Sequence, residues 1–314
     1  MKTLILGSTV VDVILRLPRL PRSQESCNIY HQELRLGGCA FNASEALRRF
    51  GADYTLFSPV GGGVYGDYVR RELGKLGVAS PIPAPESENG CCYCFVEEGG
   101  ERRFITNPQG SLRRFSLEDA RAILNDDAFS ECRMLCLASM FVSPELPLAD
   151  MEALFAHARA AGKIVCADAT RCKNGETLAD AAGALSQLDY FFPNAEEARL
   201  LTGAQDDREA ARLLNGAGAK NAVIKRGGAG CLIANAEGQI AVPAYRTNCV
   251  DTTGAGDTFS AAFQAALLEG RGIAECGAFA CAAASICVEN LSATGEKLDR
   301  NEIERRARAI LNQM

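Results

Sequence analysis

Histidine is almost missing from this chain: His31 and His157 are the only two in 314 residues. Most serine–histidine and cysteine–histidine nucleophile schemes are therefore excluded, and no set of imidazoles exists to complete a zinc site. Clustered positive charge is missing as well. Lys and Arg total 33 against 39 Asp and Glu, a net charge of −6, and basic residues never run beyond adjacent pairs. Nucleic acids and anionic membranes both require a concentrated positive face, so neither is expected as a partner. The longest apolar stretch, 279–288, is too short and too rich in Ala and Cys to span a bilayer. The N-terminal run Met1–Gly7 is followed by Asp12 and Arg16 without a small-residue cleavage site, and reads as a first strand region, ended by Asp12, rather than a secretory leader. A cytoplasmic location is the expectation. No Gly-x4-Gly-Lys-Ser/Thr string occurs.

Cysteine, by contrast, is abundant, with 14 residues. Most sit singly in apolar segments (Cys136, Cys166, Cys231, Cys281, Cys287), where a free thiol acts as a small hydrophobe. Cys91, Cys92 and Cys94 share one strand-like run, so their side chains alternate between faces and do not converge on an ion.

The length suits one large α/β domain with a small appendage, or two domains. Strand-like runs at 3–6, 54–59, 134–137, 163–167, 190–192 and 222–225 alternate with helical patterns at 43–50, 67–76, 148–161, 195–201, 208–216 and 258–269. Two more helical patterns follow at 274–288 and 302–313. This alternation predicts βαβ units around a mostly parallel sheet. Residues 27–36 and 91–106 have strand character without intervening helices, and Glu98-Gly99-Gly100-Glu101 reads as a hairpin turn. Strands outside the alternation do not belong to the main sheet, which predicts a small β lid.

The densest chemistry lies at 251–264, Asp-Thr-Thr-Gly-Ala-Gly-Asp-Thr-Phe-Ser-Ala-Ala-Phe-Gln. Gly254, Ala255 and Gly256 let backbone N–H groups crowd at the start of an Ala-rich helix, where donors lack partners and the helix dipole is positive. Asp257 follows directly. A carboxylate beside an anion site makes sense where something near a phosphate must lose a proton, as when a hydroxyl attacks a γ-phosphoryl group. The plainer reading is a helix N-cap aspartate.

This segment resembles the second signature of the ribokinase-like (PfkB) family of carbohydrate and nucleoside kinases. A second match lies far upstream, Gly37-Gly38-Cys39-Ala40-Phe41-Asn42-Ala43-Ser44, followed by Gly51 and Gly61 at the family's spacing. The similarity covers essentially the whole chain; Gln264 stands where relatives have a small or apolar residue. The resemblance implies one ribokinase-like domain over residues 1–314: a three-layer α/β/α fold with a mostly parallel central sheet and a lid from about 27–36 and 91–106. It implies ATP and Mg²⁺ as cofactors and Asp257 as general base, with Gly254, Ala255 and Gly256 completing the anion hole. Asp12, Gly38 and Asn42 would bind the substrate, and Arg171 is a further candidate, although Thr170 replaces an Asn common in relatives. Asn194 and Glu197 would lie near the phosphates, with Glu197 reaching Mg²⁺ through water. Lys225, Gly227 and Gly230 would line the nucleotide. A monovalent cation such as K⁺ would fall on Asp251 and the Thr253 carbonyl. Some relatives use the lid as a homodimer clasp.

Plainer roles compete at several of these positions: a surface turn for Asp12, an N-cap for Asn42, and a capping box for Asn194 and Glu197. Gly61–Gly66 satisfies the dinucleotide fingerprint, but a helix already precedes it, so it looks like the family's Gly-rich turn instead. Ribokinases carry Asn and Lys where this chain has Val10 and Cys39, which disfavours ribose. The expected activity is phosphorylation of a hydroxymethyl group on a small sugar or sugar derivative. A nucleoside, stacked on Phe95 or Phe104, is the alternative within the family. A sugar phosphate would need extra cations, for which Arg102, Arg103 and Arg171 are candidates. A non-catalytic sugar-binding regulator is the competing class, with an NAD-dependent dehydrogenase third.

Overall fold

Short apolar runs alternate with helices to build a nine-stranded sheet, and a separate four-stranded sheet stands beside it. The computed structural model describes residues 2–77, 79–99, 101–107, 114–290 and 298–314. The chain starts in the large sheet with β1 (Lys2–Leu6), buried from Thr3 to Leu6. It leaves for the small sheet, where β2 (Val10–Leu17) and β3 (His31–Gly37) pair antiparallel. It returns through α1 (Cys39–Arg49) to β4 (Tyr54–Gly62), parallel to β1. Helix α2 (Gly63–Leu76) leads to the edge strand β5 (Ala79–Glu88). A second excursion then adds β6 (Cys91–Glu97) and β7 (Arg102–Thr106) to the small sheet.

Helices α3 (Leu117–Leu124) and α4 (Asp127–Glu131) lead to β8 (Cys132–Met140), which pairs with β1 on the side away from β4. Construction then proceeds in one direction through α5 (Leu148–Ala160), β9 (Ile164–Ala169), α6 (Leu178–Ser186) and β10 (Tyr190–Phe192). Helices α7 (Ala195–Thr202) and α8 (Asp207–Gly216) precede β11 (Ala222–Lys225). An antiparallel hairpin of β12 (Cys231–Asn235) and β13 (Gly238–Val242) closes that edge. Helices α9 (Ala255–Leu268), α10 (Ile273–Cys287) and α11 (Arg300–Leu311) complete the chain.

The strand order β13-β12-β11-β10-β9-β8-β1-β4-β5 reverses between β1 and β8. In open α/β sheets the crevice beyond such a reversal is where ligands bind. Adjacent Phe191 and Phe192 show why helices cover both faces. Their side chains point to opposite sides of β10, and both are fully buried. Phe192 packs with the layer of α1, α2, α9, α10 and α11, and Phe191 with that of α3 to α8. The fold is thus the expected ribokinase-like α/β/α arrangement. All fourteen cysteines are free thiols. Among the described residues, no helix is long and apolar enough to cross a membrane.

The small sheet differs from the expected lid in one important respect. Strand β2, one of its two inner strands, belongs to it rather than to the end of the first strand region, and β3 begins at His31 rather than at 27. The expected hairpin joins β6 to β7, with the Glu97 N–H donating a hydrogen bond to the Glu101 carbonyl at 3.0 Å, although Gly100 lies outside the described residues. Strand β5 escaped notice because Pro81, Pro83 and Pro85 argue against a strand; an edge position tolerates them.

The Gly61–Gly66 turn is a packing device. A Cβ on Gly66 would lie 2.0 Å from the Gly61 carbonyl oxygen, which also accepts from Arg70 Nη1 at 2.8 Å. Gly66→Ala is expected to destabilise the protein by about 1–3 kcal/mol through overpacking. Gly74→Ala on the same helix meets nothing within 4 Å and is expected to stabilise by about 0.5–1 kcal/mol. Denaturant unfolding of both variants checks the contrast, and equal effects would contradict it.

Candidate active site

Helix α9 begins on Gly254, whose φ of 76° lies in the left-handed region that favours glycine. The Ala255 amide turns back to the Thr252 carbonyl at 3.2 Å. The amides of Gly254, Gly256 and Asp257 are left without an acceptor among the described residues. The anion hole thus has three free donors here, Ala255 excepted. Asp257 sits inside the first turn, not at the cap, so the plain N-cap reading fails.

Asn42 lies inside α1 and is likewise no cap. Its Nδ2 donates to Asp257 Oδ2 at 2.8 Å across 215 residues of sequence. Asn42 is 6 % exposed, and its Oδ1 is buried without a partner. An orphaned buried acceptor is costly unless a ligand satisfies it.

Asp12 stands on β2, within the small sheet rather than at the end of β1. A Cβ on Gly37 would lie 2.1 Å from Asp12 Oδ2, and one on Gly38 would lie 2.5 Å from the Ser8 carbonyl oxygen. These glycines therefore make room for the protein's own carboxylate and backbone, and Gly38 also lines the cavity beside Asp12. Burial pushes the Asp12 carboxyl up to about 6, against the opposing pull of Arg35.

Two cavities meet at this point. One, of about 670 Å³, lies between the small sheet and α1 and is lined by Asp12, Gly38, Asn42 and Phe104 among others. The other, of about 740 Å³, is lined by Asn194, Glu197, Lys225, Gly227 and Gly230, with Ala255 and Gly256. Asp257 and Cys39 belong to the walls of both.

Lys225 Nζ, in the second cavity, pairs with Asp168 Oδ1 at 2.5 Å, and Ser260 Oγ on α9 donates to Asp168 Oδ2 at 2.6 Å. Burial alone would lower the Lys225 ammonium, but Asp168 and Glu197 outweigh it and hold the ammonium above its ordinary value. A Cβ on Gly256 would lie 3.5 Å from that Nζ, so the cation stands beside the free amides. Burial, then the charge of Asp168, pushes the Asp257 carboxyl up to about 7, while Asn42, Lys225 and the Cys39 thiol pull the other way.

Asn194 and Glu197 form a capping box, with both bonds at 2.8 Å. The box engages one Glu197 oxygen; the other makes no hydrogen bond among the described residues, and burial raises this carboxyl. The capping-box reading holds here, and both residues also line the second cavity. Gly230 has a second duty, since a Cβ would lie 2.0 Å from the Val242 carbonyl oxygen of β13.

Other candidates lie elsewhere. Arg171 is exposed, pairs with Glu196, and does not line the substrate-side cavity, because β9 directs the loop after Ala169 toward α7. The Asp251 carboxylate binds Arg102 Nη1 at 2.5 Å and both the amide (3.0 Å) and hydroxyl (2.8 Å) of Thr253. Arg102 and Thr253 overcome the effect of burial and hold this carboxyl below its ordinary range. A guanidinium thus pairs with the acid that the resemblance assigned to K⁺. Phe95 and Arg103 fall on the face of the small sheet away from the cavity, opposite to Phe104 and Arg102. Sequence reasoning missed Ser260 and the Arg102–Asp251 pair, whose partners are 92 and 149 positions apart with no local pattern to reveal them.

Residues 2–299 match the pfkB family carbohydrate kinase model. The chain is 27 % identical over 275 residues to the deoxyribokinase of Salmonella typhimurium, covering 82 % of this chain and 83 % of that one. It is 26 % identical over 304 residues to the ribokinase of Bacillus subtilis, covering 96 % and 97 %. The crystal structure of Thermotoga maritima ribokinase superimposes with a TM-score of 0.79 at 25 % identity, covering 98 % of this chain and 99 % of that one. The chain belongs to the pfkB family of carbohydrate kinases. It is accordingly a phosphotransferase.

A raised carboxyl means that ionised Asp257 is unfavourable in the fold. The resulting loss of stability builds as pH rises from about 4, where the unfolded group titrates, to about 7, and is constant above. Asp257→Asn removes that loss. Its melting temperature relative to the parent is expected to increase between pH 4 and pH 8. Thermal unfolding across that range tests this, and a pH-independent difference would contradict it.

Proposed function

We propose that this kinase transfers the γ-phosphoryl group of ATP to a hydroxymethyl group of a small sugar or sugar derivative, with Asp257 as general base. The observation that carries this reading is the membership of Asp257 in the walls of both cavities. A hydroxyl bound in one and a phosphoryl group bound in the other would meet beside its carboxylate. Asn42 fixes Oδ2, which leaves Oδ1 to take the proton. The amides of Gly254, Gly256 and Asp257, the helix dipole and the Lys225 ammonium supply positive charge where negative charge develops. Asp12, which lines the acceptor cavity, suits the remaining acceptor hydroxyls.

Magnesium bound with ATP would add counter-charge to the phosphates, held through water by the free oxygen of Glu197 with Asn194 alongside. In this reading Gly227 and Gly230 line the nucleotide, and the small sheet acts as a lid that excludes water. The protein would work in the cytoplasm. The outer face of the lid carries exposed Ile105, the contact on which a homodimer through the lid would rest. A nucleoside acceptor is the second reading. It is favoured by Ile14, Cys94 and Phe104, which stand side by side on the cavity face of the small sheet and offer a base an apolar strip. A non-catalytic regulator would not need an intact Asp257 beside free helix amides.

An ADP-release screen over pentoses, hexoses, sugar acids and nucleosides with Mg²⁺ tests the proposal, with product mapping to identify the phosphorylated oxygen. Asp257→Asn is expected to lower turnover by about 10²- to 10⁴-fold with nucleotide affinity little changed. Near-normal turnover would refute the assignment. The base must be ionised, so kcat/KM should climb with pH through about 7. Asp168→Asn removes a neighbouring negative charge and should move that limb to lower pH; an unmoved limb would count against this electrostatic account.

A further inference from the structure

The register of the small sheet sorts its cavity-facing side chains into rows. Arg35, Asp12 and Cys92 form the row at one end, opposed pairwise across β3, β2 and β6. Glu33, Ile14, Cys94 and Phe104 form the middle row. His31, Arg16, Val96 and Arg102 form the row at the other end. Because side chains on one face recur every second residue, these rows share the face that carries Asp12.

The charges on this cavity wall cancel in pairs, with one exception. Arg35 Nε meets Glu33 at 2.6 Å, and Arg102 meets Asp251 at 2.5 Å. Glu45 is bound by Arg48 at 2.7 Å and Arg49 at 2.9 Å, and Glu72 by Lys75 at 2.8 Å. Asp12 and Asp257 are the carboxyls that the proposed reaction uses. Arg16 is left over. It lines the cavity and is half-buried, yet its guanidinium makes no ion pair or hydrogen bond among the described residues. Four strand positions separate it from Asp12, about 13 Å along the chain. A cation without a partner, in a cavity whose other charges are matched, is an electrostatic demand on the ligand.

We propose that Arg16 is an anion subsite of the acceptor pocket, and that the preferred acceptor carries a carboxylate or phosphate at the end opposite its reactive hydroxymethyl group. The proposal rests on the kinase reading above and narrows it. The acceptor's hydroxyls lie by Asp12 and Asn42, its ring spans the Ile14–Cys94–Phe104 row, and its anion reaches the Arg16 fork. Arg103 and Arg171, the other cations considered for such a group, face away from this pocket.

The test compares acceptors that differ in that charge: ribose with ribose 1-phosphate, and glucose with gluconate. ADP release is measured with the native protein and with Arg16→Gln, Arg16→Lys and Arg16→Glu. The native protein should prefer the anionic member of at least one pair, and which pair responds tells phosphate from carboxylate. Arg16→Gln should cut the anionic-over-neutral ratio of kcat/KM by about 10- to 100-fold, mainly through KM. Arg16→Lys should restore part of the ratio, and Arg16→Glu should invert it. The KM of the anionic acceptor should rise with ionic strength in the native protein and not in Arg16→Gln. Release of ADP with neutral acceptors alone, or a ratio indifferent to residue 16, overturns the anion subsite while leaving the kinase reading intact. Absence of ADP release with every acceptor tried overturns both.

Discussion

A single hydrogen bond, from Asn42 on α1 to Asp257 on α9, joins the two halves of the proposed active site. Neither residue caps its helix; Asn42 is buried and Asp257 half-buried, and the bond gives the Asn42 amide nitrogen its acceptor. The arrangement requires α1 and α9 to pack on the same face of the large sheet, which the shared core around Phe41, Phe50, Phe263 and Phe279 secures. It also requires the reversal of strand order beside β1, which opens the crevice where both helices begin. Buried without the Asn42 donor, the Asp257 carboxylate would be costlier still to ionise.

Around that bond the charges alternate. Asp168 anchors Lys225 with one oxygen and receives Ser260 with the other, so the ammonium cannot swing away from the helix terminus. Removing either Asp168 or Lys225 takes from the other its buried ion-pair partner, so the two act as a unit rather than as separable contributions. Charge matching also operates at Asp251. There the guanidinium of Arg102 spans from the small sheet to the loop before α9, tying the wall of one cavity to the floor of both.

Much of the fold was legible in the residues because its signals are local. Alternating strand and helix periods located most of the large sheet, and Gly254-Ala255-Gly256-Asp257 announced a helix N-terminus with an adjacent acid. Asn194 and Glu197 were legible twice over, as a capping box and as cavity residues. What escaped was non-local. Strand β2 alternates polar Asp12 and Arg16 with buried Val11 and Val13, a pattern that reads as the frayed end of β1 until β6 is seen beside it. Arg171 shows the reverse error: a residue type suited to anions, in a familiar place, spends its charge on Glu196 at the surface. Gly37 carries no local sign of its packing duty, since the atom it accommodates belongs to Asp12, 25 positions away.

The small sheet is assembled from two separate excursions of the chain, and its central parallel pairing joins Val11 to Cys91 and Leu17 to Glu97. Eighty residues must be threaded through α1, β4, α2 and β5 before β6 can reach its place beside β2. Loop closure on that scale delays the pairing relative to local helices and hairpins. During synthesis the β2–β3 hairpin therefore waits with one whole edge unpaired and the valines meant for the interior open to water. The order of emergence from the ribosome thus sets an interval in which this hairpin is the segment of the chain most open to mispairing with another strand.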